Sequence, residues 1–143
     1  MAKCTVKMPD EFLMKVSRLA ERTDDILPRV LKAGAEVVET KVRRNLTAVI
    51  GKGNKTRDRS TGQLLKALGT SKALTDRDGN MNVKIGFSEE RTDGESNAKL
   101  ATILEYGKHG QPPRPFLKPA KSQSRRACVQ AMIDKLDSEV GDI

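Results

Sequence analysis

Residue types that usually carry catalysis or bind metal ions are scarce in this chain of 143 residues. It has no Trp, one Tyr, three Phe, one His and two Cys. Nucleophilic catalysis usually needs a Ser or Cys beside a histidine base, and the only histidine, His109, lies in a glycine-flanked loop. Cys4 and Cys128 with one His cannot supply the four ligands of a structural metal site. The composition therefore predicts a protein that is not an enzyme and needs no cofactor or metal.

Long apolar runs are also absent. No stretch reaches the roughly 20 residues of a membrane span, and no apolar segment of the secretory type opens the chain. Two cysteines far apart are typical of free thiols in a reducing compartment, with a single disulfide between them as the alternative. The length corresponds to one domain, residues 1–143, with an aliphatic core. We expect a soluble protein made in the cytosol.

Positive charge is in excess, with 27 Lys and Arg against 19 Asp and Glu. Much of it lies in the segment Lys41–Arg59, which has one acidic residue, Asp58, and no aromatic residue for base stacking. Three interpretations stay open: backbone contact with nucleic acid, docking to an acidic partner, or a solvated loop over residues 51–59. The candidate contact residues are Arg43, Arg44, Lys52, Lys55, Arg57 and Arg59.

Apolar residues recur with helical spacing at both ends of the chain. One helix is predicted from Asp10, and a second from a cap at Thr23-Asp24-Asp25 to about residue 50, with Pro28 in its first turn. Gly34 would cost stability unless another backbone packs closely there. A short helix is predicted at Asn97–Tyr106. The last helix is predicted from Pro115 to about Glu139.

The middle of the chain favours a hairpin. Asp78-Gly79 is a turn signal, and Met81–Phe87 alternates apolar and polar residues as a strand does. Residues 65–74 are ambiguous between helix and strand, and as a strand they would pair with Met81–Phe87. The fold class is therefore α+β, with long N-terminal and C-terminal helices on a three- to four-stranded antiparallel sheet. Residues 1–9 are an arm or short strand, and 88–96 a polar loop.

The segment Leu100–Ala120 holds a glycine- and proline-rich loop between two helices. We expect Gly107 to have the left-handed conformation of a helix C-cap. Tyr106 is expected to pack its ring under the loop and to direct its hydroxyl at a loop carbonyl. The segment could be a cap and connector only. Stiffened in this way, however, it could also dock a partner at low entropic cost.

Several blocks in this chain resemble the tail-completion or head–tail joining proteins of long-tailed phages. The blocks are Ser60–Leu65 (STGQLL), Val83–Phe87 (VKIGF), Ala101–Gly107 (ATILEYG) and Pro113–Ala120 (PRPFLKPA). The last two are the most specific. The family usually has a small hydroxyl residue after Glu-Tyr-Gly, where this chain has Lys108.

The resemblance implies a structural virion component rather than an enzyme. Such proteins form rings, usually hexamers, in the neck between the head connector and the tail tube, and DNA passes through them. The partners would be further copies, the head-closure or connector protein, the tail-tube protein and, loosely, phage DNA. The residues that match the family, expected to determine fold and interfaces, are Gly62, Leu64, Gly86, Glu105, Tyr106, Gly107, Pro115, Phe116, Pro119 and Ala120. The alternative is a small basic protein that binds nucleic acid without sequence preference.

Overall fold

A computed structural model describes residues 3–5, 7, 9–50, 63–88 and 96–141. In these residues two long helices frame a small β region and two short helices, so the α+β fold class is confirmed. The elements are α1 (Asp10–Ile50), α2 (Gln63–Ala67), β1 (Leu68–Thr70), β2 (Leu74–Thr75), β3 (Met81–Asn82), β4 (Ile85–Phe87), α3 (Asn97–Tyr106) and α4 (Leu117–Gly141).

Asp10–Ile50 is one continuous helix of 41 residues, so the predicted break at Thr23 is wrong. The Thr23 hydroxyl donates to the Leu19 carbonyl (2.9 Å) instead of capping a new helix, and Pro28 lies inside α1. Pro28 lacks the N–H for one helical hydrogen bond. Ile26 and Val30, on either side of it, are buried, and this tertiary burial outweighs the local cost of the proline.

α1 and α4 pack against each other in opposite directions. Near one end Asn45 Nδ2 donates to the Phe116 carbonyl (3.3 Å), and near the other Arg29 Nη1 contacts Glu139 Oε2 (2.9 Å). Between these contacts, a Cβ on Gly34 would lie 2.6 Å from Met132 Cγ. A close approach at Gly34 is therefore confirmed, but the expectation of another backbone there is wrong, because the close neighbours are the side chains of Met132 and Cys128.

The hairpin prediction is confirmed, but the four short strands seen among the described residues form two separate pairs. β1 pairs with β4 and β2 with β3, both antiparallel. Residues 83–84 interrupt the predicted continuous strand Met81–Phe87. At the hairpin turn the Asp76 carboxylate accepts from the N–H groups of Asp78 and Asn80 (both 2.9 Å), and Gly79 has a φ of +83°.

One hydrophobic cluster lies where the C-terminal half of α1 meets α2, the strands, α3 and the start of α4. Phe116 is fully buried in it and contacts the ring of Phe87 edge-on at 6.1 Å between centroids. The buried members are Val42, Leu46, Leu64, Leu68, Ala101, Phe116 and Ala120. The cluster thus holds both ends of the loop between α3 and α4.

The terminal helix differs slightly from the prediction, since α4 begins at Leu117 rather than Pro115 and continues to Gly141. Pro119 lies in its first turn, where a missing N–H costs no hydrogen bond. In the described ranges, no helix combines the length and the apolar character needed to cross a membrane.

Candidate docking surface at the corner between α3 and α4

The chain leaves α3 through a backbone conformation that requires glycine. Gly107 has φ +77° and ψ 177°, and its N–H donates to the Ile103 carbonyl (2.8 Å). A Cβ at Gly107 would lie 2.8 Å from both the Gln111 carbonyl oxygen and the Pro113 nitrogen. A side chain is therefore disfavoured by both the torsion angle and the space. The positive φ of the left-handed conformation expected for Gly107 is confirmed, but the ψ of 177° lies outside the left-handed helical region, so that part of the expectation is wrong.

Glu105 connects the end of α3 to the start of α4. One carboxylate oxygen accepts from the N–H groups of Phe116 (2.8 Å) and Leu117 (2.9 Å), and the other from Lys118 (3.0 Å). These N–H groups have no partner within α4, and the positive end of the helix dipole favours an anion there. Burial raises the pKa of Glu105, but the three N–H donors and the Lys118 ammonium outweigh it, so the pKa lies below its ordinary value.

The Pro-rich loop is fixed at further points. The Arg114 N–H donates to the Leu104 carbonyl (2.6 Å), and its guanidinium reaches the Val49 carbonyl (3.5 Å). Lys108 and Gln111 exchange backbone hydrogen bonds of 3.0 and 2.9 Å across a tight turn that exposes His109. The loop is thus held by hydrogen bonds along its length as well as by the buried Phe116.

Tyr106 does not lie under the loop, so that prediction is wrong. Its side chain is 63% exposed, and the Lys118 ammonium lies 5.3 Å from the ring centroid. The buried positions of α3 are Asn97, Ala101 and Glu105, four residues apart. Tyr106 follows the last of them by one residue, about 100° around the helix, and therefore faces outward.

The capping role of Glu105 was missed in the sequence, although one signal pointed to it. The residues just before α4 are Pro115 and Phe116, neither of which can cap a helix with its side chain. A helix start without a local cap needs an acceptor from elsewhere in the chain. A buried acidic residue at the end of the preceding helix meets that need.

The exposed part of this site combines the phenol ring of Tyr106 with the ammonium groups of Lys108 and Lys118 and the imidazole of His109. We call Tyr106, Lys108, His109 and Lys118 the Tyr106 corner. All four are exposed, and all lie on backbone fixed by the contacts described above. The arrangement suits recognition of an acidic or apolar protein surface rather than chemistry on a substrate.

Arg43, a candidate DNA or partner contact, has its guanidinium engaged within the fold. It donates to the carbonyls of Leu65 (3.1 Å) and Leu68 (3.3 Å) and to the Glu39 carboxylate (2.9 Å). A hydrogen bond from the Thr70 hydroxyl and the nearby Arg43 lower the pKa of Glu39 despite its partial burial. This network ties α1 to the end of α2.

Arg44, in contrast, is exposed on α1. Lys52, Lys55, Arg57, Arg59 and Gly62 lie outside the described residues, as do most of the loops predicted at 51–59 and 88–96. Contact of the basic segment with DNA or a partner stays a prediction.

The family-matching residues do not form one surface. Leu64, Phe116 and Ala120 meet in the core, Pro119 is half-buried beside them and Pro115 is exposed. Gly86 lies opposite Gly69 in the β1–β4 pair. Nowhere in the described ranges do three or more His, Cys, Asp or Glu side chains cluster as metal ligands do.

Residues 10–107 match the family described as "Bacteriophage HK97-gp10, putative tail-component". The chain belongs to this family. No curated protein and no solved structure matches it. The match extends from the first residue of α1 to Gly107, so it includes Glu105 and Tyr106 and ends before the Pro-rich loop. The protein is therefore a structural component of a tailed phage, located in the virion among other virion proteins.

Proposed function

We propose that the protein is a tail-completion or head–tail joining protein. Several copies form a ring in the neck between the head connector and the tail tube, and DNA passes through it. The number of copies is six by analogy with the phage family that the sequence resembles. Membership of a phage tail-component family supports the class of protein. The Tyr106 corner supports docking, because it presents an aromatic side chain on a backbone fixed by Glu105, Gly107 and Phe116.

A fixed surface lowers the cost of docking, because little conformational entropy is lost when the partner binds. Tyr is common among the residues that contribute most to interface affinity, and its ring here has few contacts within the fold apart from Lys118. The neighbouring Lys108 and Lys118 favour an acidic partner surface. We assign this corner to contact with the next copy or with an adjacent neck protein.

The basic end of the helix pair supports loose contact with DNA. Residues 37–50 of α1 include three basic residues and one acidic residue, and residues 117–126 of α4 include four basic and none acidic. Because α1 and α4 are antiparallel, these two stretches lie side by side. A surface with such an excess of basic residues contacts DNA phosphates without preference for base sequence.

A Tyr106→Ala variant tests the corner. The side chain is exposed, so we expect the free energy of unfolding to change by less than about 1 kcal/mol. Incorporation of the variant into phage particles, measured by quantitative mass spectrometry of purified virions, should fall strongly. Leu74→Ala removes an equally exposed apolar side chain (57%) on β2 and should be incorporated normally. If Tyr106→Ala assembles like the wild type, the corner is not a docking surface.

The basic end also motivates the alternative function, nucleic-acid binding outside the virion. That function requires duplex DNA binding that weakens steeply with salt and is lost in an Arg125→Glu, Arg126→Glu double variant. It also requires the protein to be absent from purified particles.

A further inference from the structure

The N-terminal part of α1 extends beyond α4. α1 has 41 residues and α4 has 25, so they are about 60 and 37 Å long. Arg29 contacts Glu139, two residues before the end of α4, and a cleft at that end is lined by Phe12, Lys15, Val16 and Leu19 of α1 and by Val140 and Gly141 of α4. Residues 10–22, which we call the α1 extension, therefore project past α4.

The α1 extension continues the apolar face of α1, and in the described part of the chain no helix covers it. Ile26 is 1% exposed where α4 covers it, whereas Phe12 is 50% and Val16 is 46% exposed. Leu19 lies between these regions and is half-buried. Apolar side chains of this size cost free energy when they are exposed to water, so their exposure indicates a surface that binds a partner.

A second apolar row lies on the side of α4 that does not face α1. Its members are 39–50% exposed, and none is part of the described hydrophobic cluster. We call this row the α4 stripe, and it consists of Val129, Ile133, Leu136 and Val140. The buried side of the same helix passes through Ser124 and Glu139, so the stripe lies beside the packed face rather than within it.

The two exposed rows have the same spacing. Phe12, Val16 and Leu19 are separated by four and three residues, and so are Val129, Ile133 and Leu136. This is the alternation by which two helices pack knobs into holes along a common seam. Each copy carries both rows on different helices. Within one copy, Val140 at the end of the stripe lines a cleft with Phe12, Val16 and Leu19, whereas Val129 and Ile133 lie farther from that cleft, toward the start of α4.

Charge order sets the direction in which the rows can pack. Along the α1 extension, the acidic pair Asp10 and Glu11 precedes the basic residues Lys15 and Arg18. Along α4, the basic pair Arg125 and Arg126 precedes Asp134 and Asp137. All of these residues are exposed. Parallel packing brings opposite charges together, whereas antiparallel packing brings Asp10 and Glu11 to Asp137.

We propose that the α1 extension of one copy packs in parallel on the α4 stripe of a second copy. Because α1 and α4 are antiparallel within a copy, the second copy must be reversed. The contact is then reciprocal, each extension lying on the other copy's stripe, and the complex closes at two. A cyclic ring needs a head-to-tail contact instead. The two-fold pair is thus the form of the free protein before assembly, and it does not depend on the proposed neck function.

The mass of the purified chain and of single variants in solution tests this contact. The wild type should have twice the 15.7 kDa of one chain. Phe12→Asp places a charge in the extension and Ile133→Asp places one in the stripe, and each should weaken self-association at least tenfold. An equimolar mixture of the two variants should form a mixed pair, because one extension and one stripe in it remain intact. Leu74→Asp, outside both rows, is the control and should stay dimeric.

The parallel direction has its own test. In a parallel seam Lys15, which precedes Val16, faces Asp137, which follows Leu136. Lys15→Glu and Asp137→Lys should each weaken the pair, and the double variant should restore it. A wild-type chain that is monomeric up to about 1 mM overturns the proposal. So does an Ile133→Asp variant that still dimerises, because extensions would then pair with each other. A mass above two copies overturns the two-fold closure.

Discussion

At the scale of single residues, Glu105 decides how α3 and α4 meet. Its carboxylate takes the place of a local cap and satisfies three backbone donors at the start of α4. Because these hydrogen bonds involve a charged acceptor in a buried site, each is stronger than a bond between neutral groups. Tyr106, the next residue, is exposed as a consequence. The Glu105 side chain therefore fixes the loop and leaves the neighbouring Tyr106 exposed.

Glu105→Gln should destabilise the protein by about 1–3 kcal/mol at neutral pH, because a carboxamide cannot accept all three hydrogen bonds. The folded pKa of Glu105 lies below the unfolded value of 4.5, so its ionisation stabilises the fold above pH 4.5, and this contribution is lost as pH falls through the folded pKa. The difference between wild type and variant, measured by urea unfolding across the acid range, should therefore shrink on acidification. A difference that stays constant with pH would show that the charge of Glu105 does not stabilise the fold.

At the scale of elements, the contact between α1 and α4 depends on small residues at their closest approach. Gly34 sits against Met132 and Cys128, with no room for a Cβ unless Met132 moves. Farther along, Glu139 is buried between Arg29 and Lys135. Burial raises the pKa of Glu139, but these two cations outweigh it and hold the pKa below its ordinary value.

Gly34→Leu should destabilise the helix pair by about 1–3 kcal/mol, since the added side chain cannot fit without displacing α4. Ala48→Leu adds the same side chain at an exposed α1 position and should change the free energy of unfolding by less than about 0.5 kcal/mol. Adding Met132→Ala to Gly34→Leu should recover part of the loss, because the two sites share one space. Equal thermal stability of Gly34→Leu and Ala48→Leu would contradict this packing.

The features that the sequence predicted correctly are mostly determined by interactions between residues close together in the chain. The bounds of α3 and the hairpin turn at Asp78-Gly79 follow from capping and turn residues, and both are confirmed. The misplaced break at Thr23 and the orientation of Tyr106 have tertiary causes. In the first case burial beside Pro28 outweighed a local break signal, and in the second the carboxylate of Glu105 took the inward position.

At the scale of the whole molecule, charge is divided along the helix pair. Residues 10–27 of α1 contain five acidic and three basic residues, and residues 127–141 of α4 contain three acidic and one basic. The opposite end, with the start of α4, is strongly basic. The Tyr106 corner lies near that basic end, because Lys118 is in the first turn of α4. In the proposed ring, this end would face DNA or an acidic neighbour.

The presence of the protein at a fixed location in mature particles tests the central claim most directly. The measurement is quantitative mass spectrometry of purified virions, combined with labelling of a tagged chain in imaged particles. If the protein is a neck component, every particle carries the same small number of copies, with the label at the junction of head and tail. A chain that is abundant in infected cells but absent from purified virions would contradict it.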